Sequence, residues 1–330
     1  MDRFRNILVG VDLSDGDLCL SHELSPPTRA AVNKAIWLAE HTGARITFLT
    51  SLLPCLGDLR ETRSLAEMER LQIVVDEIHE RARTRMTGLV AEARSHGIEA
   101  DEIRTDGTAW LKLIEMVVTK GHDLVLVGSH RQHTLGRLLL GSTGRRLIRK
   151  CPCPVWVTSP REQGAIRTIL APTDFSGTAD NAVQIAFSLA GKCEADLHLL
   201  HAVPAGLEPV MREIPLPEAD VDGFRAKLFS EAHREFDDML HRTGLEGQVD
   251  EKHCHVVTGP PHGVIEAVAE QHRADLVVIG TQARTGLSGI LMGNTAESVM
   301  AGLTCSILAI KPDGFKCPIE FHEECLADAS

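Results

Sequence analysis

The clearest chemical pattern in the chain is a run of glycines. Residues 280–295 read GTQARTGLSGILMGNT, placing Gly280, Gly286, Gly289 and Gly293 directly after the apolar run DLVVI. Glycine permits tight turns and close approach of backbone to a ligand. A glycine-rich loop between a strand and a helix can aim N–H groups at an anion, usually a phosphate. The same residues also suit an ordinary strand-to-helix connection, and Gly286 and Gly289 fit that plainer role. A second group is His198, His201, His253, Cys254 and His255, on two neighbouring strand-like segments. A period of two puts His253 and His255 on one face and Cys254 on the other. Imidazole suits zinc, which takes about four ligands. A zinc site on His198, His201, His253 and His255 therefore stands beside the reading of scattered, hydrogen-bonded histidines in a chain with 16 of them. Cys151-Pro-Cys153 is not a Cys-x-x-Cys pair and precedes a strand rather than opening a helix, so buried structural thiols are expected. No Walker-type lysine follows the glycine loop, and no Ser/His/Asp set sits in motif context. A phosphate cradle binds, whereas hydrolysis also needs a positioned water and stabilised transition-state charge. A binding protein is expected rather than an enzyme, with slow ATP hydrolysis as an alternative.

The elements that position these residues are written twice. RNILVGVDLSD at 5–15 resembles RTILAPTDFSG at 167–177, and DLVLVGSH at 123–130 resembles DLVVIGTQ at 275–282. Gly128 and Gly280 stand 152 residues apart, as do Cys153 and Cys305, whereas Asp12 and Asp174 stand 162 apart. The first copy thus carries about ten extra residues after its first strand, placed near 15–25, a length typical of a loop insertion. The polar segment TSPREQGAI at 158–166 joins the copies. In each copy, apolar strands alternate with amphipathic helices, which argues for a parallel sheet covered on both faces. Ligands of such sheets bind beyond the carboxyl ends of the strands, where strand order reverses. Asp174 and Gly280 both end strands and can share one crevice.

Composition bounds the partners. The 330 residues suggest about two domains. A net charge of -12 argues against general affinity for nucleic-acid backbone. No run approaches the ~18 apolar residues of a membrane span. The N-terminal segment lacks the apolar region of a signal peptide, and nine cysteines fit reduced thiols, so a cytoplasmic location is expected.

On the repeated Asp after the first strand (Asp12, Asp174) and the loop-plus-helix segment ending each copy, the chain resembles the universal stress protein family in its tandem-domain, E-type form. The tail KPDGFKCPIEFHEE at 311–324 adds to the likeness. The resemblance implies two tandem five-stranded parallel-sheet, Rossmann-like units with helices on both faces, at 1–160 and 161–312, with an acidic tail at 313–330. It also implies pairing of the two units as an internal pseudo-dimer, with a homodimer of chains as a further form. Nucleotide-binding members of the family carry Gly, two residues, Gly, nine residues, then Gly with Ser or Thr. In the second copy Gly280 is present, Ala283 takes the second glycine slot, and Gly293 is followed by Asn294. In the first copy Gly128, Gly141 and Ser142 are present but Arg131 takes the second slot. A large guanidinium there can bind phosphate or fill the pocket, and the first site is expected to have diverged. By the resemblance, ATP or ADP, with Mg²⁺, would bind mainly in the second copy. N–H groups near Gly280, Thr281, Gly293, Asn294 and Thr295 would cradle phosphates, and Asp174 would meet the adenine or ribose. Backbone near Ala202 or Val203 would line the adenosine pocket, and Arg284 would steer phosphate. Asp174 reads equally well as part of a helix cap. The alternative function is a stress scaffold holding another small ligand or none.

Overall fold

The structure is a computed structural model that describes residues 3–13, 24–52, 65–131, 138–139, 141–160, 165–203, 218–281 and 294–321. The chain divides into two compact units, the first built on residues up to His130 and the second on residues from Gly164. Of the described residues, Lys316–Phe321 group with the first unit, and Arg131, Leu138 and Leu139 with the second. The first unit holds strands β1 (Asn6–Gly10), β2 (Arg45–Ser51), β3 (Ala100–Thr105), β4 (Leu124–Gly128) and β5 (Val155–Thr158). Its helices are α1 (Pro26–Thr42), α2 (Leu65–Ser95), α3 (Ala109–Lys120) and α4 (Ser142–Lys150). The second unit holds β6 (Thr168–Pro172), β7 (Asp196–Val203), β8 (Cys254–Thr258), β9 (Leu276–Gly280) and β10 (Ser306–Ile310). Its helices are α5 (Gly177–Cys193), α6 (Glu218–Thr243), α7 (Pro261–Gln271) and α8 (Asn294–Gly302).

Each unit is a five-stranded parallel sheet. The order is β5-β4-β1-β2-β3 in the first and β10-β9-β6-β7-β8 in the second. The α/β architecture expected from the alternating pattern is therefore present in both copies. The chain starts in the middle of each sheet, builds outward to one side, then crosses to the other. The reversal falls between β1 and β4, and between β6 and β9, which is where a crevice opens at the carboxyl ends. The central strands NILVG, LVLVG, TILAP and LVVIG are apolar but for Asn6 and Thr168 at their starts, and most of their residues are buried. Buried on both faces, they need no polar alternation. Helices α1 and α5 both have 17 residues and pack over the reversal points. Among the described residues, no helix is long and apolar enough to cross a membrane.

An aspartate at the foot of β4 and of β9 ties the middle of each sheet together. Asp123 accepts the backbone N–H groups of Arg5 and Asn6 at 2.6 and 3.0 Å. Asp275 Oδ2 accepts those of Arg167 and Thr168 at 2.7 and 3.0 Å. The repeat DLV displayed these residues, but nothing in the sequence marked them as clamps.

His122 sits just past Gly121, which closes α3 in the left-handed region at φ 66. The ring is buried, with Nδ1 3.1 Å from the Met116 carbonyl oxygen. Burial holds its pKa below the ordinary histidine value, against the opposing effect of the Met116 carbonyl. The unfolded chain takes up this proton near pH ~6.5 and the folded chain resists it. The stability tied to His122 is thus complete above that pH and is lost as pH falls towards the depressed folded value. His122→Leu is expected to reduce the acid-side slope of unfolding free energy by up to about 1.4 kcal/mol per pH unit. Urea midpoints measured across this range check it; an unchanged slope refutes it.

Candidate functional site

In the second unit the crevice forms where β6 turns into α5. Thr173 Oγ1 accepts the N–H of Phe175 at 2.9 Å. Asp174 Oδ1 accepts both the N–H of Ser176, at 3.1 Å, and its hydroxyl, at 2.6 Å. Ser176 is the N-cap of α5, its Oγ accepting the Ala179 N–H at 3.3 Å. Asp174 therefore works through its own turn: it fixes the residue that caps the helix. Phe175 is held in the left-handed region at φ 60, a conformation that costs about 1–2 kcal/mol for a residue with a side chain. Its ring lies 4.4 Å from that of His201 and edge-on to Phe236 at 5.2 Å, and this packing offsets the strain. His201 Nδ1 is 2.8 Å from the Thr173 carbonyl oxygen.

The resulting crevice has a volume of about 190 Å³. Pro172, Leu200, Ile265 and Ile279 supply apolar walls; Thr173, Asp174, His201 and Thr281 supply polar atoms. Ala202 lines it, and so does Ala296 in the first turn of α8. An α-helix N-terminus leaves unsatisfied N–H groups and favours negative charge. Asn294 opens that helix. Val203 is buried beside the crevice and gives its carbonyl to the Gly259 N–H at 2.9 Å.

Gly280 and Thr281 reach the crevice, but their backbone has other duties. The N–H and hydroxyl of Thr281 both donate to the Ile310 carbonyl oxygen, at 2.9 and 3.0 Å. That N–H is spent within the fold and is not offered to a phosphate. A Cβ on Gly280 would meet Thr178 Cγ2 at 3.1 Å, so the glycine also lets the start of α5 come close. Ala283, Arg284 and Gly293 lie outside the described residues, as do the side chains of Asn294 and Thr295. Of the residues lining this crevice, only Asp174, Ala202, Gly280 and Thr281 were expected there from the sequence; Pro172, Thr173, Ala179, Leu200, His201, Pro261, Ile265, Ile279 and Ala296 were not. Most of the latter are apolar or small residues, without a motif to announce them.

The first unit repeats the layout. Asp12, Gly128, Gly141 and Ser142 all line a crevice of about 280 Å³, together with Thr28, Ser51 and Thr143. Ser129, at the position of Thr281, sends its N–H and hydroxyl to the Thr158 carbonyl at 3.1 and 2.8 Å. Arg131 follows β4 in a two-residue strand, and its side chain lies outside the described ones. Of the insertion placed near 15–25, residues 15–23 are likewise outside, and Ser25 is the N-cap of α1. Cys151 and Cys153 are buried and not joined in a disulfide, with sulfurs 3.5 Å apart.

The histidines separate into two places. His201 faces the crevice, whereas His198, His253 and His255 gather elsewhere with His272. Strand alternation explains the split, since His198 and His201 are an odd number of residues apart on β7 and point to opposite faces.

Comparison with known proteins agrees with this architecture. The sequence profile described as the Universal stress protein family matches residues 3–159 and again 165–311. The chain is 27% identical to Universal stress protein E of Photorhabdus laumondii over 338 residues, covering 98% of this chain and 100% of that one. It is 28% identical to Universal stress protein E of Escherichia coli K12, covering 98% and 99%. Among solved structures, a functionally unknown protein from Pseudomonas aeruginosa PAO1 superposes with a TM-score of 0.65 at 22% identity, covering 94% of each chain. A universal stress protein from Archaeoglobus fulgidus gives 0.63 at 18% identity, covering 93% and 98%. At these identities the structural likeness speaks to the fold.

Proposed function

The chain belongs to the universal stress protein family, and from that premise we propose that it binds an adenine nucleotide, ATP or ADP, in the crevice of its second unit and acts as a stress-response regulator rather than a catalyst. The observation that carries the reading is the convergence, at the reversal point of β6 and β9, of apolar walls, Asp174 and the first turn of α8. Leu200, Ile265 and Ile279 form a slot of the kind that takes an aromatic base. Asp174 lies where it can accept a hydrogen bond from the adenine or ribose. The start of α8 favours the phosphates with their Mg²⁺, through N–H groups and helix dipole. With the Thr281 N–H used by Ile310, the phosphate donors fall to this helix end and to the preceding glycine segment. Regulation rather than turnover is favoured because Asp174 and His201 are each engaged in the turn that shapes the crevice. A hydrolytic site needs a group left to position water. In this reading the protein works in the cytoplasm, where its thiols stay reduced.

A matched pair of substitutions tests the reading. Register places Ser51 of β2 where Ala202 stands on β7. In calorimetric titration of nucleotide-stripped protein with ATP and Mg²⁺, one site per chain is expected. Ala202→Trp should fill the crevice and weaken binding about 100-fold or more, while Ser51→Trp leaves it intact. Loss of binding in Ser51→Trp alone would transfer the site to the first unit. No binding to the unaltered chain would favour a scaffold that works without nucleotide.

A further inference from the structure

At the amino ends of β7 and β8, away from the crevice, four imidazoles lie together. His198 is on β7, His255 on β8, His253 in the turn Glu251–His253 before it, and His272 caps the C-terminus of α7. His198 Nδ1 is 2.9 Å from His255 Nε2. The His198 ring centre lies 4.2 Å from that of His272 and 4.7 Å from that of His253. One nitrogen each from His198, His255 and His272 falls within 4.8 Å of the others. We propose that His198, His255 and His272 form a binding site for one divalent transition-metal ion of the zinc class, with the fourth position open to water or to His253.

Three arguments support the site. The first is geometric. Tetrahedral zinc with nitrogen ligands at ~2.05 Å needs ligand atoms about 3.3 Å apart. The present spacing closes to that by modest rotation of rings that are only partly buried, His272 and His255. The three ligands also come from three different elements, two paired strands and a helix end, which fixes their relative placement.

The second is electrostatic. Burial, and then the neighbouring His272, His253 and His255, hold the His198 pKa down to about 4. His255 is lowered by burial and by His272 and His253. Metal coordination requires the neutral ring. Packing several imidazoles together resists proton uptake, and a divalent ion bound by all three turns the same arrangement into a favourable one.

The third is an internal control. The repeat places Thr47, Ile103 and Lys120 of the first unit where the second has His198, His255 and His272. At these three positions the first unit closes the same corner of the sheet without an imidazole.

The test uses the full, untagged, chelator-stripped and reduced chain. Zn²⁺ titrated against a chromophoric chelator should bind one ion per chain tighter than about 1 µM. His255→Gln and His272→Gln should each weaken it about 100-fold. His96→Gln, an exposed histidine of the first unit paired with Glu40, should leave it unchanged. Co²⁺ bound to the unaltered chain should give visible ligand-field bands without thiolate-to-cobalt charge transfer, which reads the ligand set whether or not a variant folds. Thiolate charge transfer would assign the metal to cysteines and overturn the proposal. So would undiminished Zn²⁺ affinity in the two variants, or no binding by about 100 µM.

Discussion

Gly128→Ala is expected to destabilise the first unit by about 2–3 kcal/mol, lowering its melting temperature by roughly 5–10 °C, whereas Gly280→Ala costs the second unit under about 1 kcal/mol. The two glycines occupy the same place in the repeat, and sequence reasoning treats them alike. Their surroundings differ. A Cβ on Gly128 would fall on the carbonyl carbon and oxygen of Pro27, with Pro27 Cβ at 2.8 Å. Pro27 lies in the first turn of α1, whose start is the rigid Pro26-Pro27 pair, so backbone must move to make room. At Gly280 the nearest atom is a methyl group of Thr178 at 3.1 Å, and the next contacts are at 3.4 and 3.5 Å. A side chain that rotates relieves this clash at little cost. The measurement is convenient because Trp37, Trp110 and Trp156 are the chain's three tryptophans and all belong to the first unit. Tryptophan fluorescence follows that unit, and far-ultraviolet circular dichroism follows both. Equal losses in the two variants would show that the contact with Pro27 is not what makes Gly128 necessary.

Asp275→Ala is expected to cost the second unit about 2–3 kcal/mol, and Asp123→Ala a similar amount in the first. Each carboxylate accepts two backbone N–H groups at the start of the central strand. Hydrogen bonds to a charged acceptor are worth about 1.5–3 kcal/mol, and alanine leaves both donors without their acceptor. Asparagine keeps an acceptor oxygen but loses the charge, so Asp275→Asn should recover part of the loss. The fluorescence midpoint should move only for Asp123→Ala, and the second transition in circular dichroism only for Asp275→Ala. A shift below ~0.5 kcal/mol in both alanine variants would show that water replaces the carboxylate at the strand foot.

What could be read from the sequence was what repeats or alternates. The two copies, their parallel sheets and the nearness of Asp174 to Gly280 follow from apolar runs ending in Asp or Gly, since local pattern and burial are linked. The finer duties were not readable. That Ser176 rather than Asp174 caps α5, or that Thr281 turns its N–H towards Ile310, depends on where a neighbouring strand ends. The histidines show the same limit from another side. Strand period does not reach His253, which lies in the turn Glu251–His253 before β8 and meets His198 from there. His272 is distant in sequence and joins them only because α7 returns across the sheet. His201 leaves them because it stands an odd number of residues from His198.

The aspartate clamps also bear on the order in which the chain can fold. Asp123 reaches back 118 residues to Arg5, and Asp275 reaches back 108 to Arg167. Each fastens the first strand of a unit to one that leaves the ribosome much later. Until β4 is made, β1 has only β2 beside it, and its other edge carries unpaired N–H and C=O groups along a strand that is apolar but for Asn6. Closing loops of this length is entropically slow, and an open apolar edge is a template for pairing with another chain. Each unit therefore passes through an interval during synthesis in which its most buried strand is also its most exposed, and that interval ends when the aspartate arrives.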